Sequence, residues 1–346
     1  SRRAARQFGI RRPQIKRLGR TVRRSILRKS RDKNRIRRMD LVDADEPQDL
    51  IMPATQLAAN EMTELSFTLM QPVTADNAGT YFPTTGTLAS TPIIRFDTVN
   101  GTLHVPARTD YGSIVAYKNN TTASTVILGT AASQTITAAG DIDLQNGNAT
   151  NGLTLDGNTN TPVTVNVTGN VTNSVGTGNA TLSMGAGTWT VSGNFDLTNV
   201  DTLNHNSGRL KMNGSSKSLT SNAKTLNNFE VSGGSITQVG ALTLAGTFVE
   251  SAGSFTQAAN NDLQVNGTAF SLSNGTTFTK ASGSGVLILD GTTNTLTDSN
   301  STKQNLGTLQ IGASPSTTTL ASDTTVVNLI IHTTDTLNTE IGRAHV

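Results

Sequence analysis

The sequence predicts an all-β protein built as a parallel β-helix, a β-solenoid of about eight or nine coils, preceded by a short β capping region and a basic arm. Three observations carry this expectation. First, one phrase recurs: QTITAAGDIDL at 134–144, GTWTVSGNFDL at 187–197, GSITQVGALTL at 234–244 and GSFTQAANNDL at 253–263. Second, apolar and polar residues alternate within runs of three to five, which puts successive side chains on opposite sides of a strand. Third, Gly, Asn, Asp and Ser punctuate the runs and no helical period outlasts a single turn.

The elements follow in chain order. Residues 1–38 hold 17 Lys and Arg against one acid, Asp32. Ile15, Leu18, Val22 and Ile26 recur at helical spacing there, with Pro13 at a position a first turn accepts and Gly19 opposing the helix. Three readings stand side by side. A basic helix would place Arg11, Arg12, Lys16, Arg17, Arg20, Arg23 and Arg24 against a nucleic-acid backbone or an anionic membrane. A disordered, solvated arm gives the same composition. So does translation upstream of a true start at Met39. Residues 39–346 carry 10 bases against 23 acids, so the pI near 9.3 belongs to the arm alone.

Residues 39–61 form an acidic linker, opening with DLVDADEPQD at 40–49. Residues 62–118 read as short strands, among them LSFTLM at 65–70, TPIIRFDTV at 91–99 and GTLHVPA at 101–107. They serve as a cap on the first coil or as a small β-domain; a solenoid end needs covering because it exposes unpaired strand edges.

Residues 119–340 are the solenoid repeats. Anchors at 135, 164, 188, 235, 254 and 277 give intervals of 29, 24, 47, 19 and 23, the longest spanning two repeats. A second phrase runs in parallel: LTLDG at 153–157, LKMNG at 210–214, LTLAG at 242–246, LQVNG at 263–267 and LILDG at 287–291, with LSMG at 182–185 and LQIG at 309–312 as shorter forms. Alternation sends Ile142, Leu144, Phe195 and Leu197 inward, and Trp189, Phe255 and Phe278 join them in the interior. Exterior Thr suits a strand because it is β-branched and polar. A β-sandwich array is the rival, but it would not repeat one phrase every twenty-odd residues. Residues 341–346, IGRAHV, back-translate to ATCGGAAGAGCACACGTC and resemble read-through into a sequencing adapter, so they are set aside from fold reasoning.

This repeat style resembles the β-helical passengers of autotransporters, filamentous-haemagglutinin-like adhesins and the giant repetitive surface proteins found in metagenomes. The resemblance spans about 220 residues and rests on repeats, so it implies a fold, a bacterial extracellular or cell-surface location and a stalk or adhesin role, with signal and anchor outside the fragment. It transfers no functional residue.

The chemistry is sparse. No Cys is present, which excludes disulfides, thiolate metal sites and thiol nucleophiles, and no run of about 18 apolar residues offers a membrane-spanning helix. His104, His205 and His332 fall on different coils, so no metal or cofactor is expected. The one candidate catalytic pair is Asp141 and Asp143, two apart on one strand as a glycan-cleaving enzyme would hold its carboxylates, but no basic residue lies between Lys118 and Arg209. Two solvated surface acids are the plainer expectation. The expected function is therefore a non-enzymatic stalk or adhesin whose partners are surface glycans or copies of itself. The alternatives are a phage or virion fibre with a nucleic-acid-contacting arm, and a polysaccharide-degrading β-helix enzyme.

Overall fold

The computed structural model describes residues 101–118, 122–176, 178–312 and 315–339, together with the strand segments 37–40, 64–69, 93–98 and 344–345 and the single residues Phe82 and Leu88. The basic arm residues named above lie outside the described residues. No helix occurs among the described residues, and the strands stack in parallel as a β-solenoid of about eleven turns. At roughly 4.8 Å per turn this is a rod of about 50 Å.

Each full turn lays down three strands on three faces. One turn runs through Thr164–Val167 on the first face, Val171–Thr172 on the second and Ala180–Ser183 on the third. Parallel strands cannot be joined by a tight hairpin and need a long crossover. Here the other two faces of the same turn are that crossover. The count exceeds the eight or nine expected because Ile93–Thr98, Gly101–Val105 and Ser113–Lys118 join the same ladders: Ile94 pairs with Ile114, Ile114 with Ile142, and Leu103 with Val126.

The core is a set of columns. On the first face Ile136, Val165, Trp189, Leu210, Phe229, Phe248, Phe270, Leu296 and Leu320 stand in register, one per turn, all buried. On the second, Ile94, Ile114, Ile142, Val171, Phe195 and Leu219 do the same. Trp189, Phe195, Phe255 and Phe278 are interior as the alternation predicts. Phe248 is the hub of an aromatic cluster, stacked on Phe270 at 4.8 Å and edge-on to Phe255 at 5.1 Å. Each such ring, fully withdrawn from water, contributes about 2–3 kcal/mol.

Turn perimeter varies while register holds. The first-face column advances 29 residues from Ile136 to Val165 but only 19 from Leu210 to Phe229. In the tightest turns the corner between the first and second faces is absorbed into one strand, so Asn228–Val239 and Phe248–Gln257 run round it unbroken apart from register shifts beside Ser232. Gly234 and Gly253 sit in that bend at φ 63° and 84°, a left-handed conformation that a Cβ would strain.

The second repeated phrase acquires a structural meaning. Six of its seven copies are third-face strands, and the terminal Gly begins the corner back to the first face; LKMNG at 210–214 alone lies on the first face. Gly246, Gly267 and Gly291 stack directly. A Cβ on Gly267 would collide with the backbone of Gly246, and one on Gly291 with that of Gly267.

Candidate functional site

Asp141 and Asp143 lie beside each other, and both carboxylates are engaged by the following turn. Asp141 closes the corner before the strand Ile142–Asn146, and its Oδ1 accepts hydrogen bonds from the backbone N–H of Asn170 at 2.6 Å and from its side-chain amide at 3.1 Å. Asp143, within the strand, accepts from the backbone N–H of Ser174 at 2.9 Å, from its hydroxyl at 2.6 Å and from the Gln145 amide at 2.7 Å. Asp141 belongs to a ladder: Ser113 Oγ accepts from Asp141 N–H at 3.0 Å, Asn170 Oδ1 from Asn194 N–H at 2.9 Å, and Asn194 Oδ1 from Ser218 N–H at 2.9 Å. These side chains satisfy corner donors that the sheet ladders leave unpaired.

His104, His205 and His332 fall on separate turns. His104 Nδ1 lies 2.9 Å from the carbonyl oxygen of Gly129, one turn on. Among the described residues no group of three or more His, Asp or Glu is placed to hold a metal ion, and no helix is long and apolar enough to cross a membrane.

The outward third face carries a regular feature. Thr102, Thr125, Thr154, Thr181 and Thr202 pair in one unbroken column over five successive turns. Thr102, Thr125, Thr154 and Thr181 are half-buried and Thr202 is exposed. Beside it a polar network crosses turns: Asp156 Oδ1 accepts from the Thr159 hydroxyl at 2.8 Å, Thr159 meets Ser183 at 2.9 Å, and the Asn206 amide donates to Ser183 at 2.8 Å. The column presents hydroxyls at the strand repeat of about 4.8 Å on a backbone fixed from both sides.

A second polar series is internal, at the corner between the second and third faces. Asn146, Asn173, Ser221, Gln238 and Gln257 are all buried. Each donates to a backbone carbonyl of the following turn: Asn146 to Asn179 at 2.9 Å, Asn173 to Asn199, Ser221 to Ala241 at 2.8 Å, Gln238 to Asp262 at 2.8 Å and Gln257 to Val286 at 3.0 Å. Gln257 pairs in register with Lys280, which occupies the next inward place. The Lys280 Nζ is shut off from solvent and has no hydrogen-bond partner, and burial holds its ammonium below the ordinary lysine range.

Sequence reasoning missed this series, although a signal for it was present. The TQ steps at Thr237-Gln238 and Thr256-Gln257 put Gln where alternation demands an apolar residue. No protein-family model, no curated protein and no solved structure matches the chain.

Proposed function

We propose that this chain is part of an extracellular, surface-displayed β-solenoid that acts without catalysis as a stalk and adhesin, holding glycans through ordered polar columns on its faces. The observation that carries the reading is the five-threonine column Thr102–Thr125–Thr154–Thr181–Thr202. A row of identical hydroxyls at a fixed repeat suits a polymer whose own units repeat, because weak contacts at successive rungs add without a deep pocket. The stacked turns supply preorganisation: neighbouring rungs are locked by ladder bonds, so little side-chain order is lost on binding. A structural role for Asp141 and Asp143 supports the non-enzymatic reading, since each spends its carboxylate on the next turn.

The test is a polysaccharide-binding screen on the full chain, compared with the triple variant Thr125→Val, Thr154→Val, Thr181→Val. Valine keeps the β-branched shape and removes the hydroxyls. The expected result is at least a ten-fold loss of binding with an unchanged far-UV spectrum. Equal binding by the variant, or a parent that binds no polysaccharide, removes the adhesive part of the proposal.

A further inference from the structure

Four successive turns carry an outward surface on their first face that differs from the other two faces. Register sets Thr135, Thr164, Thr188 and Arg209 in one column and Thr137, Asn166, Thr190 and Lys211 in the next. Between the columns stand Ile136, Val165, Trp189 and Leu210, all buried, so the flanking side chains point outward. The threonines and Asn166 are half-buried, and Arg209 is exposed.

Charge is sorted by face in these turns. Residues 135–212 contain five acids, Asp141, Asp143, Asp156, Asp196 and Asp201, and the two bases Arg209 and Lys211. The acids lie on the second and third faces or at the corners leading to them, and both bases lie on the first. The strip is also uncommitted. Asp141, Asp143, Asn170 and Asn194 bond to neighbouring turns, whereas the side chains of Thr135, Thr137, Thr164, Asn166, Thr188 and Thr190 make no hydrogen bond among the described residues. Glu230, one turn on, steadies both cations, with Oε1 3.3 Å from Lys211 Nζ and Oε2 3.4 Å from Arg209 Nη1. Its own side chain is 12% exposed, against 52% for Arg209 and 36% for Lys211. One sheltered carboxylate thus positions two accessible cations, leaving one positive charge uncompensated and guanidinium N–H groups beyond the one on Glu230.

We propose that this strip binds an acidic polysaccharide lying along the rod, with sugar carboxylates on Arg209 and Lys211 and sugar hydroxyls on the free threonines and Asn166 of the three preceding turns. The planar fork of the guanidinium matches a carboxylate. Hydroxyls held at a fixed repeat of roughly 4.8 Å let weak contacts to successive sugars add. A neutral polysaccharide would leave the cations unused, and a polyanion without hydroxyls would leave the threonines unused. The strip lies on a different face from the Thr102–Thr202 column, so either site can fail without the other.

Amine acetylation of the full chain, read lysine by lysine by peptide mass spectrometry, tests this without interference from the basic arm. Polygalacturonate is expected to slow the acetylation of Lys211 by about ten-fold and to leave Lys303, in a distant turn, unchanged. The methyl-esterified polymer, which keeps the sugars and loses the charge, should protect Lys211 far less, as should polyacrylate, which keeps the charge and lacks hydroxyls. Thr137→Val with Thr190→Val preserves shape and charge, and is expected to reduce protection by polygalacturonate towards that by polyacrylate with an unchanged far-UV spectrum. The third-face triple variant should protect Lys211 as the parent does. The proposal is overturned if Lys211 stays unprotected, if the ester or polyacrylate protects it equally, or if the valine pair behaves as the parent. Protection lost in the third-face variant instead would assign the ligand to the threonine column and also overturn it.

Discussion

Asp141 and Asn170 are joined across two turns by a 2.6 Å hydrogen bond from the Asn170 backbone N–H to the aspartate Oδ1, and Asn170 repeats the arrangement to Asn194 at 2.9 Å. The acid that sequence inspection puts forward for chemistry is one rung of a structural ladder. Asp141→Ala is expected to cost about 1–2 kcal/mol, because a half-buried N–H loses its acceptor. Asp141→Asn keeps a carbonyl oxygen in place and is expected to recover most of the loss. Urea midpoints of the three proteins decide this; equal midpoints for parent and alanine variant would deny the ladder its energetic role.

The internal amides give a sharper case. The Gln257 amide donates to the carbonyls of both Asn261 and Val286, at 3.2 and 3.0 Å, from a fully buried position. Gln257→Leu preserves bulk and leaves both carbonyls without that donor, so a loss of about 1–3 kcal/mol is expected. A leucine variant as stable as the parent in chemical denaturation would show that these bonds contribute nothing net.

Glu250 makes the stability of the rod depend on pH. Its side chain is buried, its Oε2 has no partner, and Oε1 accepts from the Thr277 N–H at 3.1 Å. Burial pushes its pKa up to about 8 from an ordinary 4.5, opposed by backbone N–H donors and reinforced by the Asp298 carboxylate. Below the ordinary value the group is protonated in both the folded and unfolded chains. As pH rises from 4.5 towards 8 the unfolded chain releases the proton first, so stability falls by up to about 1.4 kcal/mol per pH unit and the loss is complete above the folded value. Glu250→Gln should therefore melt progressively higher than the parent as pH goes from 5 to 8. Parallel melting-temperature profiles for the two proteins would contradict the assignment.

Phe248 touches the rings of Phe229, Phe255, Phe270 and Phe278. Phe248→Ala opens a cavity bordered by the turns before and after it, and a cost of about 3–5 kcal/mol is expected. Phe248→Leu should recover roughly half. An alanine variant losing under about 1 kcal/mol in denaturant would mean that the aromatic cluster collapses to fill the gap.

Much of this fold is legible in the residues, because a solenoid repeats its own local rules. The parity that sends Ile142, Leu144 and Phe195 inward recurs on strands such as Thr164–Val167, Thr188–Val191 and Thr308–Ile311. What misleads is phase. QTITAAGDIDL joins a first-face strand to a second-face strand, whereas GSITQVGALTL joins a second-face strand to a third-face strand. The two phrases look alike because every corner asks for the same thing, two alternating runs separated by small or turn-forming residues. Anchoring on the phrase therefore slides by one face between Thr188 and Ser235, which hides the true perimeter of each turn. The candidate sites were less visible for a related reason. Lys280 follows Phe278 by two residues and so shares its inward parity, yet whether the ammonium finds an acceptor depends on the irregular passage of Ser299–Gly307, which no local pattern specifies.

The unequal perimeters of the turns have a consequence for how such a chain can change. Between Ile136 and Val165 the chain takes ten residues more than between Leu210 and Phe229, yet both intervals advance the rod by a single rung. Axial pitch is dictated by backbone pairing, while girth is left to whatever the corners hold. Insertions and deletions at those corners are thus decoupled from the long axis. Descendants of one ancestral rod can diverge freely in what projects sideways, and any loop grafted at a corner will keep its height along the axis.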